Sequence, residues 1–313
     1  MKNMPEVLIV TNLDDFAADY LILKMIETDI NYLRINSEDV SHWSIKYNPH
    51  NGISLEYEDK LYDLSSVRGV YFRRAPTVFN HFSNNKNSSF LWRESKEFFE
   101  GIYLTIDARW INPIYETYKA ERKLYQLDVA RKIGFKIPHS LISNNPAEIK
   151  KFITENDCII KPISHGLQIS EEEIFSIYTH SIDKDLEFSL NELFETPVYV
   201  QEKIQNQFDI RVTVIGDKLF PVSIKKADLK EVDWRKPEIS KEYHITELPL
   251  LIANKCFEIN KKLGLSYSAI DLIHSANNEY TFLEVNPAGE WVWLEKELGL
   301  PISQKLIEEL IKE

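Results

Sequence analysis

The chain has 313 residues, 43% hydrophobic and 12% aromatic, and a formal net charge of −12. That length exceeds one typical domain and supplies enough apolar surface for a real core. The acid excess argues against a nucleic-acid protein, since phosphates would be repelled, and permits a basic peptide partner.

Cys158 and Cys256 have neither metal-ligand spacing nor the number for a disulfide framework, which predicts buried free thiols in a reducing compartment. The N-terminal apolar run is too short for a signal sequence, and no stretch approaches the ~20 apolar residues of a membrane span. A cytoplasmic protein is expected.

In chain order, a buried-type strand over 6–12 precedes a helix over 14–27 and a strand over 32–35. Three short β runs follow at 43–47, 53–57 and 60–64. A strand over 67–73 ends at Arg73-Arg74, and residues 80–89, rich in Asn and Ser, read as a mobile loop. An amphipathic helix over 90–106 and Trp110-Ile-Asn-Pro113 close the unit. Strands alternating with helices predict a parallel α/β sheet. Ligands bind at the C-terminal ends of such strands, which makes Arg74 a candidate substrate contact.

A second unit opens near Glu116, with a helix running to Ile133 and Gly134 at its C′ position. A strand over 135–141, a helix over 146–155 and a strand over 158–161 follow. A charged helix over 183–195 ends before Pro197. The third unit is mostly antiparallel: strands over 198–204, 208–215 and 218–226, a loop with Asp233-Trp234-Arg235, a helix over 249–263, a hairpin over 267–286 and a closing helix over 291–313. The expected domains are 1–115, 116–197 and 198–313.

The hairpin carries the most chemistry. Asn277-Asn278 makes a plausible two-residue turn, because Asn tolerates positive φ. In that register Ala276 faces Glu279 and Asp271 faces Glu284, with Cβ atoms about 4.5–5.5 Å apart. The strand period of two puts Asn286 on the same face. Two opposed carboxylates repel unless a positive charge sits between them, and a hard divalent cation such as Mg²⁺ is the natural filler. A solvated hairpin face with unrelated acids is the plainer alternative.

Lys161 ends an apolar run, where it can meet an anion or simply snorkel. Lys119 opens a charged turn that a solvated helix start would also explain. The strand over 198–204 turns polar at Gln201-Glu202, where backbone groups can read the edge of an adenine ring, although most strands end this way. The next strand alternates, with Asp209, Arg211 and Thr213 on its polar face. Asp209 and Arg211 either pair, worth about 0–1 kcal/mol at a surface, or divide tasks between a ribose hydroxyl and an anionic oxygen. Arg235 beside Trp234 is a second anion binder or a stacked structural arginine. There is no dinucleotide glycine fingerprint, no Walker P-loop and no defensible Ser/His/Asp order.

Together these segments resemble the ATP-grasp superfamily over essentially the whole chain, and within it the graspetide synthetases, the microviridin- and plesiocin-type peptide macrocyclases. The carrying segments are Gly69-Val-Tyr-Phe-Arg-Arg-Ala-Pro76, Gln201-Glu-Lys-Ile204 with Asp209-Ile-Arg211, Asp233-Trp-Arg235, and Glu284-Val-Asn-Pro-Ala-Gly-Glu-Trp291. The resemblance implies an α/β (α+β) ATP-grasp fold: an N-terminal pre-ATP-grasp domain, a central subdomain, and a C-terminal antiparallel subdomain with the metal site. It implies Lys119 and Lys161 as phosphate-binding lysines, Gln201, Glu202 and Ile204 as the adenine hinge, and Asp209 as the ribose acid. Asp271, Glu284 and Asn286 become the metal ligands. Arg211 and Arg235 become the catalytic arginines that hold the substrate carboxylate and then its acyl phosphate.

The implied cofactors are ATP and Mg²⁺. The implied partner is a ribosomal precursor peptide, leader plus core, with no nucleic acid and no membrane; a homodimer is left open. Such enzymes phosphorylate Asp or Glu side chains of the core, and Ser/Thr hydroxyls or Lys amines then attack to give ω-esters or ω-amides. Asp185 and Glu192, acids of the 183–195 segment, are expected to meet a basic leader residue, although charge runs are usually solvated faces. One departure stands out: only Gly166 follows Lys161 where the family carries a glycine-rich loop. A carboxylate–amine ligase for a small molecule or amino acid is the alternative of the same fold. A non-catalytic peptide-binding module is the alternative of another class.

Overall fold

The computed structural model describes residues 3–50, 52–73, 87–164, 167–169, 174–187, 190, 192–205, 208–228 and 231–312. The N-terminal part runs β1 (Val7–Thr11), α1 (Phe16–Glu27), β2 (Tyr32–Asn36), β3 (Ser44–Asn48), β4 (Gly52–Tyr57), β5 (Lys60–Tyr62), β6 (Gly69–Phe72), α2 (Ser88–Leu104) and β7 (Arg109–Ile111). Its main sheet is all parallel, in the order β2-β1-β6-β7. Every residue of β1 is buried, as expected of a parallel sheet covered on both faces. Val7 and Ile9 join one core with α1 and the C-terminal helices, while Leu8 and Val10 join another with Ile102 and Tyr103 of α2. The β3-β4-β5 meander packs on the second core through Leu55.

The middle part comprises α3 (Ile114–Ala120), α4 (Lys123–Lys132), β8 (Ser140–Ser143), α5 (Pro146–Glu155), β9 (Cys158–Lys161), β10 (Leu167–Ile169), β11 (Ile174–Ser176), β12 (His180–Ser181) and β13 (Val198–Glu202). An antiparallel sheet is ordered β12-β9-β13-β8, and α5 covers it through Ile149, Phe152 and Ile153. Asn145 caps α5 by accepting from the N–H groups of Ala147 and Glu148, with Pro146 in the first turn.

The last part holds β14 (Phe208–Ile215), β15 (Lys218–Lys226), β16 (Lys241–Ile245), α6 (Leu250–Leu263), β17 (Tyr267–His274), β18 (Tyr280–Asn286), α7 (Val292–Leu298) and α8 (Ile302–Leu310). Its five strands are antiparallel in the order β16-β15-β14-β17-β18. Ile210, Val212 and Val214 face α4 and α6. Ile215, Phe220 and Tyr267 share a core with α1, α8 and Trp291. The contact of α8 with the parallel sheet is close: a Cβ on Gly69 would collide with the Leu310 carbonyl oxygen. Both cysteines are buried and free. No helix among the described residues is long and apolar enough to cross a membrane.

Five sequence readings are corrected. The helix expected over 116–133 is two helices, parted at Glu121-Arg122. The Ala120 carbonyl, which would accept a helical bond, instead takes one from the Gln126 side chain. The strand expected over 135–141 forms only at Ser140–Ser143, with one bridge from Lys136 to Thr281. The closing helix over 291–313 is α7 and α8, parted at Gly299, whose φ of 68° suits a left-handed cap. The described residues of 183–195 form no helix. There the Asp183 side chain accepts from the Asp185 N–H, Lys150 takes the Lys184 and Leu186 carbonyls, and Phe194 N–H bonds Asn144. These bonds compete with a helical ladder. The hairpin turn is also different. Ser275 N–H bonds Glu279 O, and Asn278 supplies the positive φ. A bulge between Asp271 and Leu272 then restores Asp271 opposite Glu284.

Arg74, and the part of the expected mobile loop at 80–86, lie outside the described residues. Ser88 and Ser89 begin α2.

Candidate active site

Three neighbouring strands bring charge together on one sheet face. Arg211 of β14 is in register with Asp271 of β17, and Asp271 is in register with Glu284 of β18. Arg211 Nη1 lies 3.3 Å from Asp271 Oδ2, and both side chains are buried. The Arg211 guanidinium stacks 5.4 Å from the Trp234 ring, and its Nε and Nη1 have no hydrogen-bond partner. A buried guanidinium with free donors suits an incoming anion.

Asp233-Trp234-Arg235 is a tight local unit. Asp233 Oδ1 accepts from Arg235 Nε at 2.8 Å, and Oδ2 accepts from Nη2 at 2.7 Å. Asp233 also accepts from the Thr179 N–H, which ties this loop to the middle part of the chain. Arg235 Nη1 then reaches to 3.5 Å from Glu284 Oε1. Of the two arginines, Arg211 therefore has the freer donor edge.

Lys123, at the start of α4, approaches the same carboxylate: its Nζ is 3.9 Å from Glu284 Oε2. It also donates to the carbonyls of Pro162 and Ser164, just beyond β9. Lys161, at the end of β9, lies over the Tyr199 ring with its ammonium 4.7 Å from the centroid. Burial pulls the Lys161 ammonium down to about 8, against the attraction of Glu284. Burial lowers Lys123 too, again opposed by Glu284. Burial alone would raise the Glu284 carboxyl, but Arg235, Lys123, Lys161 and Arg211 hold it below the usual range. Asp271 moves the other way: burial, with Glu284 adding repulsion, outweighs Arg211 and raises it.

The sequence missed Lys123, because 116–133 read as one helix and hid a second helix start. No Gly or Pro marks the break. The lysine singled out instead, Lys119, forms an ion pair with Glu116 on its own helix and is half exposed. Glu116 lies against Gly264, at the far end of β17 from Asp271. The structure thus keeps Lys119 out of the cluster. Asp209 is also placed differently. It is 5% exposed and 3.0 Å from Lys226 Nζ, so its carboxylate is committed to a buried pair across β14 and β15.

Along the expected hinge, the Gln201 side chain donates to Tyr199 Oη and Ser140 Oγ, while its Oε1 is buried without a partner. The Glu202 and Lys203 N–H groups bond His139 O and Asp157 O. Ile204, two residues past the end of β13, is part-buried, and Asp185 and Glu192 are both exposed.

Asp271, Glu284 and Asn286 supply two carboxylates and an amide oxygen. Among the described residues no group of three His, Cys, Asp or Glu forms a metal cluster. An all-oxygen set with few carboxylates fits a hard cation that also takes ligands from a phosphate. Asn286 Oδ1 accepts from the Ala288 N–H, which fixes its direction. The loop that follows is braced from the parallel sheet, with Arg73 donating to Ala288 O and Gly289 O.

Comparison with known proteins is consistent with this geometry. A model of the RimK-like ATP-grasp domain matches residues 120–310, more than half of the chain. Among solved structures, the macrocyclase MdnC bound with precursor peptide MdnA, from Microcystis aeruginosa MRC, is 28% identical with a TM-score of 0.84, covering 97% of this chain and 99% of its own. A RiPP-associated ATP-grasp ligase from Chryseobacterium gregarium, in complex with ADP and a leader and core peptide, is 26% identical with a TM-score of 0.86, covering 98% and 96%. The macrocyclase MdnB from Microcystis aeruginosa MRC is 25% identical with a TM-score of 0.80, covering 98% and 99%. No curated protein matches in sequence.

Proposed function

Because the chain belongs to the RimK-like ATP-grasp family, we propose that it is an ATP-dependent peptide macrocyclase of the graspetide type, acting on side-chain carboxylates of a ribosomal precursor peptide. The observation that carries the reading is the Arg211–Asp271–Glu284 row, flanked by Lys123, Lys161 and Arg235. Likeness along the whole chain to the two macrocyclases and the RiPP-associated ligase adds the substrate class.

The donor set fits Mg²⁺, which Asp271, Glu284 and Asn286 would hold; bound there, it would offset charge on the phosphates. Lys123 and Lys161 both lie close to Glu284 and would hold phosphate oxygens. The free acceptor on Gln201 suits an amino group of the adenine ring. Arg211 offers its unbonded Nε–H to the substrate carboxylate, and Trp234 keeps the guanidinium oriented by stacking. Arg235, locked by Asp233, adds fixed positive charge where the acyl phosphate forms. A folded-back core peptide supplies its own nucleophile by proximity. The exposed acids Asp185 and Glu192 are the candidates for a basic leader residue.

The deciding experiment incubates the protein with ATP, Mg²⁺ and a candidate precursor peptide, leader plus a core bearing Asp/Glu and Ser/Thr/Lys, and follows peptide mass. Loss of one water per bond, with ADP release, is expected. ATP consumption with a free amino acid and no peptide would favour a small-molecule ligase. In Arg211→Ala, water loss should fall on the order of 100-fold, the size seen when one charge-stabilising donor is removed, with ADP affinity little changed. Lost ADP binding with intact cyclisation would reverse that role.

The two lysines give a second test. Lys123→Ala should weaken ADP binding roughly 10–100-fold, the worth of a hydrogen bond to a charged group. Lys119→Ala should change it less than about twofold, as surface substitutions do. Calorimetric titration of both variants decides, and the opposite ranking would restore Lys119 to the site.

A further inference from the structure

β18 is an edge strand, so its outward backbone groups need partners. Val285 lies between Glu284 and Asn286. Its N–H donates to Gln126 Oε1 at 2.9 Å, and its carbonyl accepts from Gln126 Nε2 at 2.7 Å. One side-chain amide thereby stands in for a further strand at that residue. The same Nε2 bonds the Ala120 carbonyl at the break between α3 and α4. Gln126 is 2% exposed, and it follows Lys123 by three residues, one turn along α4. Apolar packing of Val129 and Ala130 in the core with Phe282 and Val285 already attaches α4 to the sheet. The amide adds register rather than adhesion.

We propose that Gln126 is a positioning residue for the metal and phosphate half of the site. It fixes the helix bearing Lys123 against the strand bearing Glu284 and Asn286. The proposal rests on the reading of Asp271, Glu284 and Asn286 as metal ligands.

The test is the Mg²⁺ dependence of ADP binding by the full chain, measured calorimetrically at fixed ADP. In Gln126→Leu the half-saturating Mg²⁺ concentration should rise roughly 10–100-fold, the usual cost of losing a group that orients a metal ligand. Gln126→Glu keeps the bond from Val285 N–H but loses those to Val285 O and Ala120 O and sets an acceptor oxygen against both carbonyls, so its Mg²⁺ requirement should rise as well. Should the leucine variant not fold, the glutamate variant carries the test. In the wild type, ADP with Mg²⁺ should slow hydrogen exchange at the Val285 amide, which needs no variant. An unchanged Mg²⁺ requirement in a folded variant, even one with a lowered Tm, overturns the proposal, and so does indifferent exchange at Val285. Glu284→Gln serves as the control: a wild-type Mg²⁺ requirement there would sink the metal reading itself, and this proposal with it.

Discussion

Glu284→Gln is expected to lower Mg²⁺-dependent ATP turnover about a thousandfold, equivalent to about 4 kcal/mol of lost charge stabilisation. The substitution keeps the volume and removes one charge. That charge is the common partner of Lys123 at 3.9 Å and Arg235 at 3.5 Å, and it stands opposite Asp271 in the sheet. The variant should still fold, because β18 keeps its pairing to β17 and its bonds to Gln126. It should lose about 1–3 kcal/mol of metal-free stability, since the cations around position 284 then face a neutral amide. Metal-free ADP binding should not weaken, because the lost carboxylate repels phosphate. Turnover, denaturant unfolding and ADP titration in EDTA measure the three effects separately. Near-wild-type turnover at modest Mg²⁺ would remove Glu284 from the site.

The fold was readable where local pattern and tertiary environment agree. The parallel alternation of the first hundred residues and the two-faced strand over Phe208–Ile215 are of this kind. Asp271 and Glu284 were also paired correctly from the sequence, but by a path that differs from the real one. A turn one residue longer shifts the register, and a bulge shifts it back. What could not be read depends on groups distant in the chain. The break before α4 is held by Gln126, whose other partner is Val285, 159 residues away. Missing that break meant missing Lys123. The acids of 183–195 suggested a helix because Lys150 and Asn144, which tie that backbone elsewhere, are invisible to periodicity. Asp209 looked free for a sugar because nothing in the strand pattern pointed to Lys226. Arg73 drew attention only as the neighbour of Arg74 at a strand end. It is instead a buried tie between the parallel sheet and the loop after Asn286.

That tie yields the largest expected stability effect. Arg73→Met should destabilise the protein by about 3–5 kcal/mol at neutral pH, the range for breaking a buried ion pair from one side. Arg73 is 1% exposed; its Nε is 3.1 Å from Asp15 Oδ1, and its terminal nitrogens serve Ala288 O, Gly289 O and Glu290. Asp15 also caps α1 through Ala17 N–H and Ala18 N–H and accepts from the Thr11 hydroxyl. Burial would raise the Asp15 carboxyl, but Arg73 and Thr11 hold it below its ordinary value. A depressed folded-state pKa gives stability that is present above the unfolded value of about 3.9 and is lost as pH falls through the folded value. In Arg73→Met the charge partner is gone, burial dominates, and the Asp15 pKa rises above the unfolded value. The folded variant then binds the extra proton, so this contribution weakens as pH rises. The gap between wild type and variant should therefore be widest at neutral pH and narrow on acidification toward pH about 4. Asp15→Asn in the Arg73→Met background should cost less than Asp15→Asn alone, because the charge it would otherwise orphan is absent. Urea unfolding of the four proteins between neutral and mildly acidic pH measures both effects. A gap that does not change with pH, or additive single effects, would show that Arg73 acts through its carbonyl bonds to the 288–289 loop rather than through Asp15.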